Sequence, residues 1–141
     1  MKITIKNLQK KIPIHPIRIK KAILKVLESE GKHLSGNISV CFVNNKKIKE
    51  LNSRFHARPE VTDVLAFDLR NALDKGKLFA DIAISTDKAK ENAEIFDTSN
   101  QQKLDLYAVH GVLHLLGYND STPKKKARMR EKECQFIKLK Q

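Results

Sequence analysis

The sequence predicts an α+β protein in which a mixed sheet of about four strands packs against about five helices. Short apolar runs rich in β-branched residues alternate along the chain with longer segments whose apolar residues recur every three or four positions. A length of 141 residues suffices for one core and is short for two. We therefore expect one domain over residues 1–141, with α/β-like layers.

The first four elements are predicted from the periodicity of apolar residues and from capping residues. Residues 1–7 alternate charged and β-branched residues, which predicts a strand. Residues 17–31 carry apolar residues at helical spacing and close on a glycine, which predicts an amphipathic helix. The apolar run 37–45 predicts a second strand, and its final asparagines can cap a helix over 46–55.

The second half adds two strands and three helices. Residues 61–69 and 78–85 are almost continuously apolar and predict buried strands that lie side by side in one sheet. Segments 85–96 and 98–117 each open with a serine or threonine that can cap a helix, and the last predicted helix is 121–140. Because 98–117 is the most apolar of these helices, we expect it at the centre of the fold.

The charge of the chain favours a polyanionic partner. Lysine and arginine number 28 against 16 acidic residues, a formal charge of +12, so nucleic acid is the leading candidate. A basic surface that binds nothing specific is the alternative. No apolar run approaches the length of a membrane span, and we expect no membrane association. Cys41 and Cys134 are expected to be free thiols in a cytoplasmic protein.

The segment HGVLHLLGYND, residues 110–120, carries the strongest chemical signal. His110 and His114 are four apart on a predicted helix and leave the same face, so both can reach one ion. Gly117 allows a sharp turn that returns Asp120 as a third ligand. Two nitrogens and one oxygen favour one Zn²⁺, with other divalent ions possible, and an open fourth position implies catalysis. The alternative is that both histidines are structural, with backbone or carboxylate partners.

The same segment resembles the YbeY family of bacterial endoribonucleases, whose signature is H-G-x-L-H-L-x-G-Y-D-H. The match ends at Tyr118, since the chain has Asn119 and Asp120 where the family has aspartate and histidine. Upstream, LNSRFHARPEVTDVLAF and ADIAIS are similar to two further family segments, and Met129 with Glu133 fits the closing helix. The resemblance covers nearly the whole chain in order.

The resemblance implies a metal-dependent, single-strand-specific endoribonuclease that matures the 3′ end of 16S rRNA and serves ribosome quality control. Its implied partners are ribosomal RNA, the small ribosomal subunit and ribosomal proteins. His56 stands where the family has a functionally important arginine. Contact with the scissile phosphate is therefore expected from His56 or from its neighbours Arg54 and Arg58.

Two further groups of residues are candidates. Asp63 and Asp81 lie inside apolar runs, where a buried carboxylate needs a partner. We expect each to hydrogen-bond a neighbouring loop or the second nitrogen of a ligand histidine. A basic cluster follows the metal motif and either contacts RNA or forms a solvated helix face: Lys124, Lys125, Lys126 and Arg128.

Two other functions compete with the nuclease. A metallohydrolase of another substrate, such as peptide, would normally carry a glutamate general base directly after the first histidine, where this chain has Gly111. A non-catalytic zinc-containing ribosome assembly factor would need a fourth protein ligand, and the sequence offers no convincing one near the motif. Measuring RNA cleavage with and without a chelator would separate the nuclease, the other metallohydrolase and the assembly factor.

Overall fold

The computed structural model describes residues 1–137 and contains the predicted order of strands and helices. The α+β class and the mixed sheet are confirmed. The elements of the described residues are β1 (Lys2–Asn7), α1 (Pro16–Glu30), β2 (Ser35–Val43), α2 (Asn45–His56), β3 (Val64–Asp68), β4 (Lys77–Ser85), α3 (Thr86–Ile95), α4 (Asn100–Leu115) and α5 (Pro123–Phe136).

The helix starts follow the predicted capping chemistry. The side chain of Asn44 accepts a hydrogen bond from the backbone of Lys47 at the start of α2. Ser99 and Gln102 form a reciprocal capping box at the start of α4. The helix predicted over 121–140 ends at Phe136 within the described part, and residues 138–140 of that prediction lie outside the described residues.

The sheet has the strand order β1-β2-β4-β3. Strand β2 pairs in parallel with β1 and β4, whereas β3 runs antiparallel to β4 and forms one edge. The Ser85 N–H donates to the Asp63 carbonyl and the Leu69 N–H to the Phe79 carbonyl. By the alternation of a β ladder, the backbone of Ala66 points away from β4, along the free edge of the sheet.

Helix α4 lies at the centre of the fold, as predicted. It packs against α1, α3 and α5 and against β3 and β4. Every second residue of β4, including Ile82 and Ile84, is buried in the same core as α4. The opposite face of the sheet carries a smaller core beneath α2, which contains Leu65 and Ala83. The two faces of β4 therefore pack against different helices, α4 on one side and α2 on the other.

Gly111 allows α4 to approach the sheet closely. A β-carbon built at Gly111 would lie 3.1 Å from Ile82 Cγ2, 3.2 Å from Ile82 Cδ1 and 3.4 Å from Val64 Cγ2. Ile82 is buried, so the space beside the helix is already filled. The residue after His110 thus faces the core, on the side where β3 and β4 meet.

Candidate metal centre

His110 and His114 meet at the last turn of α4. Their Nε2 atoms are 2.9 Å apart, because helical spacing places both rings on one face. Helix α4 ends directly after them, and Gly117 adopts φ 101°, a conformation that an L side chain rarely takes. The Tyr118 N–H then donates to the Leu113 carbonyl at 3.1 Å, which folds the chain back. This turn returns Asp120 to the histidines.

His110, His114 and Asp120 form a group that could hold a metal ion, since one ligand atom from each lies within 4.8 Å of the others. The donors are two imidazoles and a carboxylate, which suit Zn²⁺ and several other divalent ions. Asp120 is exposed, while both histidines are half-buried, so the centre is open on the carboxylate side.

Glu133 orients His110. The Nδ1 atom of His110 donates to Glu133 Oε2 at 2.7 Å, and the Glu133 side chain is only 10% exposed. This bond places the proton of neutral His110 on Nδ1, so that its Nε2 lone pair faces His114 Nε2 and could bind an ion shared by both rings. Such carboxylate–histidine pairs are common behind metal ligands. The sequence pattern places Glu133 in the closing helix and does not mark it as a partner of His110. Glu133 is four residues from Met129 and four from Ile137, and both of these apolar residues are buried. This helical spacing places Glu133 on the buried face of α5, which is the signal that could have identified it.

The two histidines differ in pKa because their neighbours differ. Burial alone would lower the pKa of His110, but the hydrogen bond and charge of Glu133, with the charge of Asp63, raise it above the ordinary value. Burial and the charge of His110 lower the pKa of His114. The low pKa keeps the His114 imidazole neutral, which is the form that binds a metal.

An open groove of about 630 Å³ runs from His114 along β3 to the end of α2, and its lining includes His56, Arg58 and Asp68. This volume is within the range of about 300–1,000 Å³ typical of ligand sites. The structure thus brings His56 and Arg58 to the groove that His114 also lines. Arg54 is directed instead towards Glu50, with 3.8 Å between Arg54 Nη2 and Glu50 Oε1.

The two strand aspartates have different positions. Asp63 precedes β3, is half-buried, and accepts hydrogen bonds from the Val64 N–H at 2.8 Å and the Thr62 hydroxyl at 3.4 Å. It therefore stabilises its own loop. The expectation of a buried Asp81 is wrong, because its side chain is exposed. Asp81 alternates with Ile82 along β4 and belongs to the face opposite α4, so it does not approach the histidines.

The basic cluster lies on the first turns of α5. Each member is exposed, and Arg128 forms an ion pair with Glu131 at 3.4 Å. Arg130, two residues further along α5, has its Nη1 atom 3.9 Å from Glu133 Oε1. Contact with RNA stays a prediction for the cluster members: Lys124, Lys125, Lys126 and Arg128.

Fold and site together define a small α+β protein in which two histidines and a carboxylate, a group that could hold a metal ion, lie beside an open groove. The sequence profile of the family described as Endoribonuclease YbeY matches residues 4–140. The chain therefore belongs to the endoribonuclease YbeY family, and it is a nuclease.

Similar proteins agree with this assignment over most of the chain. The Endoribonuclease YbeY of Christiangramia forsetii is 37% identical over 117 residues, which cover 83% of this chain and 79% of that protein. That of Acetivibrio thermocellus is 34% identical and covers 98% of this chain and 96% of that protein. A Thermotoga maritima protein solved in solution superposes with a TM-score of 0.64 at 26% identity, covering 96% of this chain and 87% of that one.

A membrane span is not found in the described part of the chain. None of the helices between residues 1 and 137 combines the length and apolar character needed to cross a bilayer. Cys41 and Cys134 are free thiols, as the sequence predicts.

Proposed function

We propose that this chain is a zinc-dependent, single-strand-specific endoribonuclease of the small-subunit ribosomal RNA. Its reaction is phosphodiester hydrolysis in 3′-end maturation of 16S rRNA and in ribosome quality control. It acts in the cytoplasm as one domain over residues 1–141, with the small ribosomal subunit and its proteins as partners. The observation that carries the proposal is that the groove joins His114 to His56 and Arg58.

Charge supports a nucleic-acid substrate for this groove. A chain with a formal charge of +12 attracts a phosphodiester backbone through counterion release. The exposed basic cluster on α5 follows directly after Asp120 and offers four cations to RNA leaving the centre. Because those contacts are with phosphates, they give affinity without sequence preference.

Each residue has a distinct role in the proposed reaction. His110, His114 and Asp120 hold one Zn²⁺ per chain, and Glu133 keeps His110 in the correct tautomer. When bound, the ion supplies Lewis acidity and lowers the pKa of water. Arg58 contacts the phosphate in the groove, with His56 beside it as the alternative contact, and Arg54 lies outside the groove, where it meets RNA further along the strand. Asp63 holds the loop before β3 through its own hydrogen bonds.

Packing argues against a peptidase mechanism. In the zincin-type motif, the residue after the first histidine is the glutamate that acts as general base. Here that residue is Gly111, and any β-carbon at this position meets Ile82 and Val64 of the sheet. A glutamate at position 111 would enter the core between α4 and β4, which is costly for a carboxylate.

Elemental analysis and RNA cleavage test the proposal together. Zinc per chain is measured for the wild type and for His114→Ala and Asp120→Ala, with His33→Ala as a matched control because His33 is exposed and outside the group. Each protein is then incubated with a single-stranded fragment from the 3′ end of 16S rRNA and with the same sequence as a duplex.

We expect near-stoichiometric zinc and cleavage of the single strand in the wild type and in the His33 variant. Both properties should be lost in the His114→Ala and Asp120→Ala variants, and a chelator should abolish cleavage. RNA binding without cleavage, unaffected by chelator, would instead support the assembly factor. Cleavage that persists without any metal would contradict the role of the three ligands.

A further inference from the structure

We propose that His56 and Phe67 form a stacking platform that holds one unpaired nucleobase of the RNA next to the scissile phosphate. This inference rests on the proposed function and adds a specificity determinant to it. The platform belongs to an aromatic cluster, defined as Phe55, His56 and Phe67, where the end of α2 meets β3.

The ring geometry favours stacking. The His56 and Phe67 ring centroids are 5.2 Å apart and their planes differ by 22°, so the imidazole lies nearly parallel to the phenyl ring. Phe55 meets Phe67 edge-on, with centroids 5.6 Å apart and an interplanar angle of 69°. One face of His56 is therefore occupied by Phe67. His56 is nevertheless exposed and lines the open groove, which leaves the remaining ring surface to a ligand.

Apolar surface is exposed in the aromatic cluster and at Leu69, which lines the same pocket as Phe55 and Phe67. Phe55 is 59% exposed and Leu69, beyond the end of β3, is 56% exposed. Such a patch beside a functional groove is typical of an interaction site. Arg58 lines the same groove, and Arg54 Cζ is 6.0 Å from the centre of the Phe55 ring. Aromatic rings with cations nearby match a nucleotide, which has a π face and an anionic backbone.

The groove explains why the base is unpaired. It follows the free edge of β3, where the backbone of Ala66 points outward and can hydrogen-bond an exposed base edge. A base in a duplex is stacked on both faces and cannot insert beside His56, whereas a base in a single strand can. The platform therefore accounts for single-strand specificity as well as for position.

Binding in the presence of chelator tests the platform without any cleavage. A fluorescent single-stranded RNA of twelve nucleotides is compared with copies that each carry one abasic site, and affinity is measured for the wild type, His56→Ala, His56→Phe and the His33→Ala control. His56 is exposed, so these variants should fold, and circular dichroism checks this. A second RNA carries 2-aminopurine, whose fluorescence falls on stacking.

We expect one abasic position to lower the wild-type affinity by roughly 5- to 150-fold, the range for one stacked base. His56→Ala should lose this difference and the 2-aminopurine quenching, and His56→Phe should keep both. An equal loss on intact and abasic RNA in His56→Ala, with a smaller salt dependence, would make His56 a phosphate contact and overturn the platform. That result would leave the proposed nuclease function intact, whereas absence of RNA binding in the wild type both with chelator and with added zinc would remove both.

Discussion

Replacement of Gly111 by alanine tests how closely α4 packs on the sheet. The new β-carbon would lie 3.1 and 3.2 Å from two carbons of Ile82, which is a few tenths of an ångström closer than ordinary contact. Ile82 is 1% exposed and has no open space to enter. The helix must therefore shift away from β4, or Ile82 must change its rotamer.

Two opposing effects set the magnitude. Alanine is favoured over glycine in a helix interior by about 0.8–1.0 kcal/mol. Overpacking a filled core costs about 1–3 kcal/mol. The sum predicts that the free energy of unfolding falls by about 0–2 kcal/mol, although the helix propensity of α4 improves.

Urea denaturation followed by circular dichroism measures this balance. A double-mutant cycle with Ile82→Val tests the contact at 3.2 Å, because valine removes that δ carbon and keeps the γ2 carbon at 3.1 Å. We expect Ile82→Val to cost less in the Gly111→Ala background than in the wild type. If Gly111→Ala instead raised stability by the full propensity gain, with no coupling to Ile82, the close-packing argument would be refuted.

Three further predictions concern the centre and its surroundings. Glu133→Gln should weaken zinc affinity by about 10- to 100-fold, as loss of a carboxylate behind a ligand histidine does. Competition with a chromophoric chelator measures this, and Glu131→Gln, exposed on the same helix, should change nothing. Burial raises the pKa of Asp105 despite its arginine partner, so the folded state binds this proton more tightly than the unfolded state. Stability should therefore fall as pH rises through the interval between the two pKa values, and Asp105→Asn should flatten that slope in urea titrations at successive pH values. Gly117→Ala should cost about 1–2 kcal/mol of stability in zinc-free protein because φ is 101° there. It should also weaken zinc binding by displacing Asp120, and unchanged affinity would show that the turn does not position that ligand.

Much of the fold follows from local pattern. Period and capping residues located every strand and helix of the described part, because these signals depend on residues a few positions apart. The helical spacing of His110 and His114 likewise fixed their shared face before any tertiary structure was known. Strand ends were less well predicted, and the run over 61–69 contains only Val64–Asp68 as strand. Residues 61–63 fall outside the strand, although the Ser85 N–H still donates to the Asp63 carbonyl at 2.8 Å.

The remaining features depend on tertiary contacts that local pattern does not contain. Glu133 reaches His110 across 23 residues of sequence, once α5 docks on α4. His56 and Phe67 meet because α2 ends beside the edge strand. Asp81 differs, since its alternation with the buried Ile82 could have predicted its exposed side. The apolar residues next to Asp81 in the sequence suggested that it is buried. The two-residue alternation of side chains along the strand gives the correct prediction.

The origin of Glu133 in α5 links activity to the completion of folding. A nascent polypeptide that has been synthesised only through Asp120 already possesses both histidines and the carboxylate of the candidate centre. It still lacks the acceptor that orders the His110 imidazole, because that acceptor arrives with the last helix. A chain that ends before Glu133 would therefore contain all three candidate metal ligands but lack the carboxylate that orients His110.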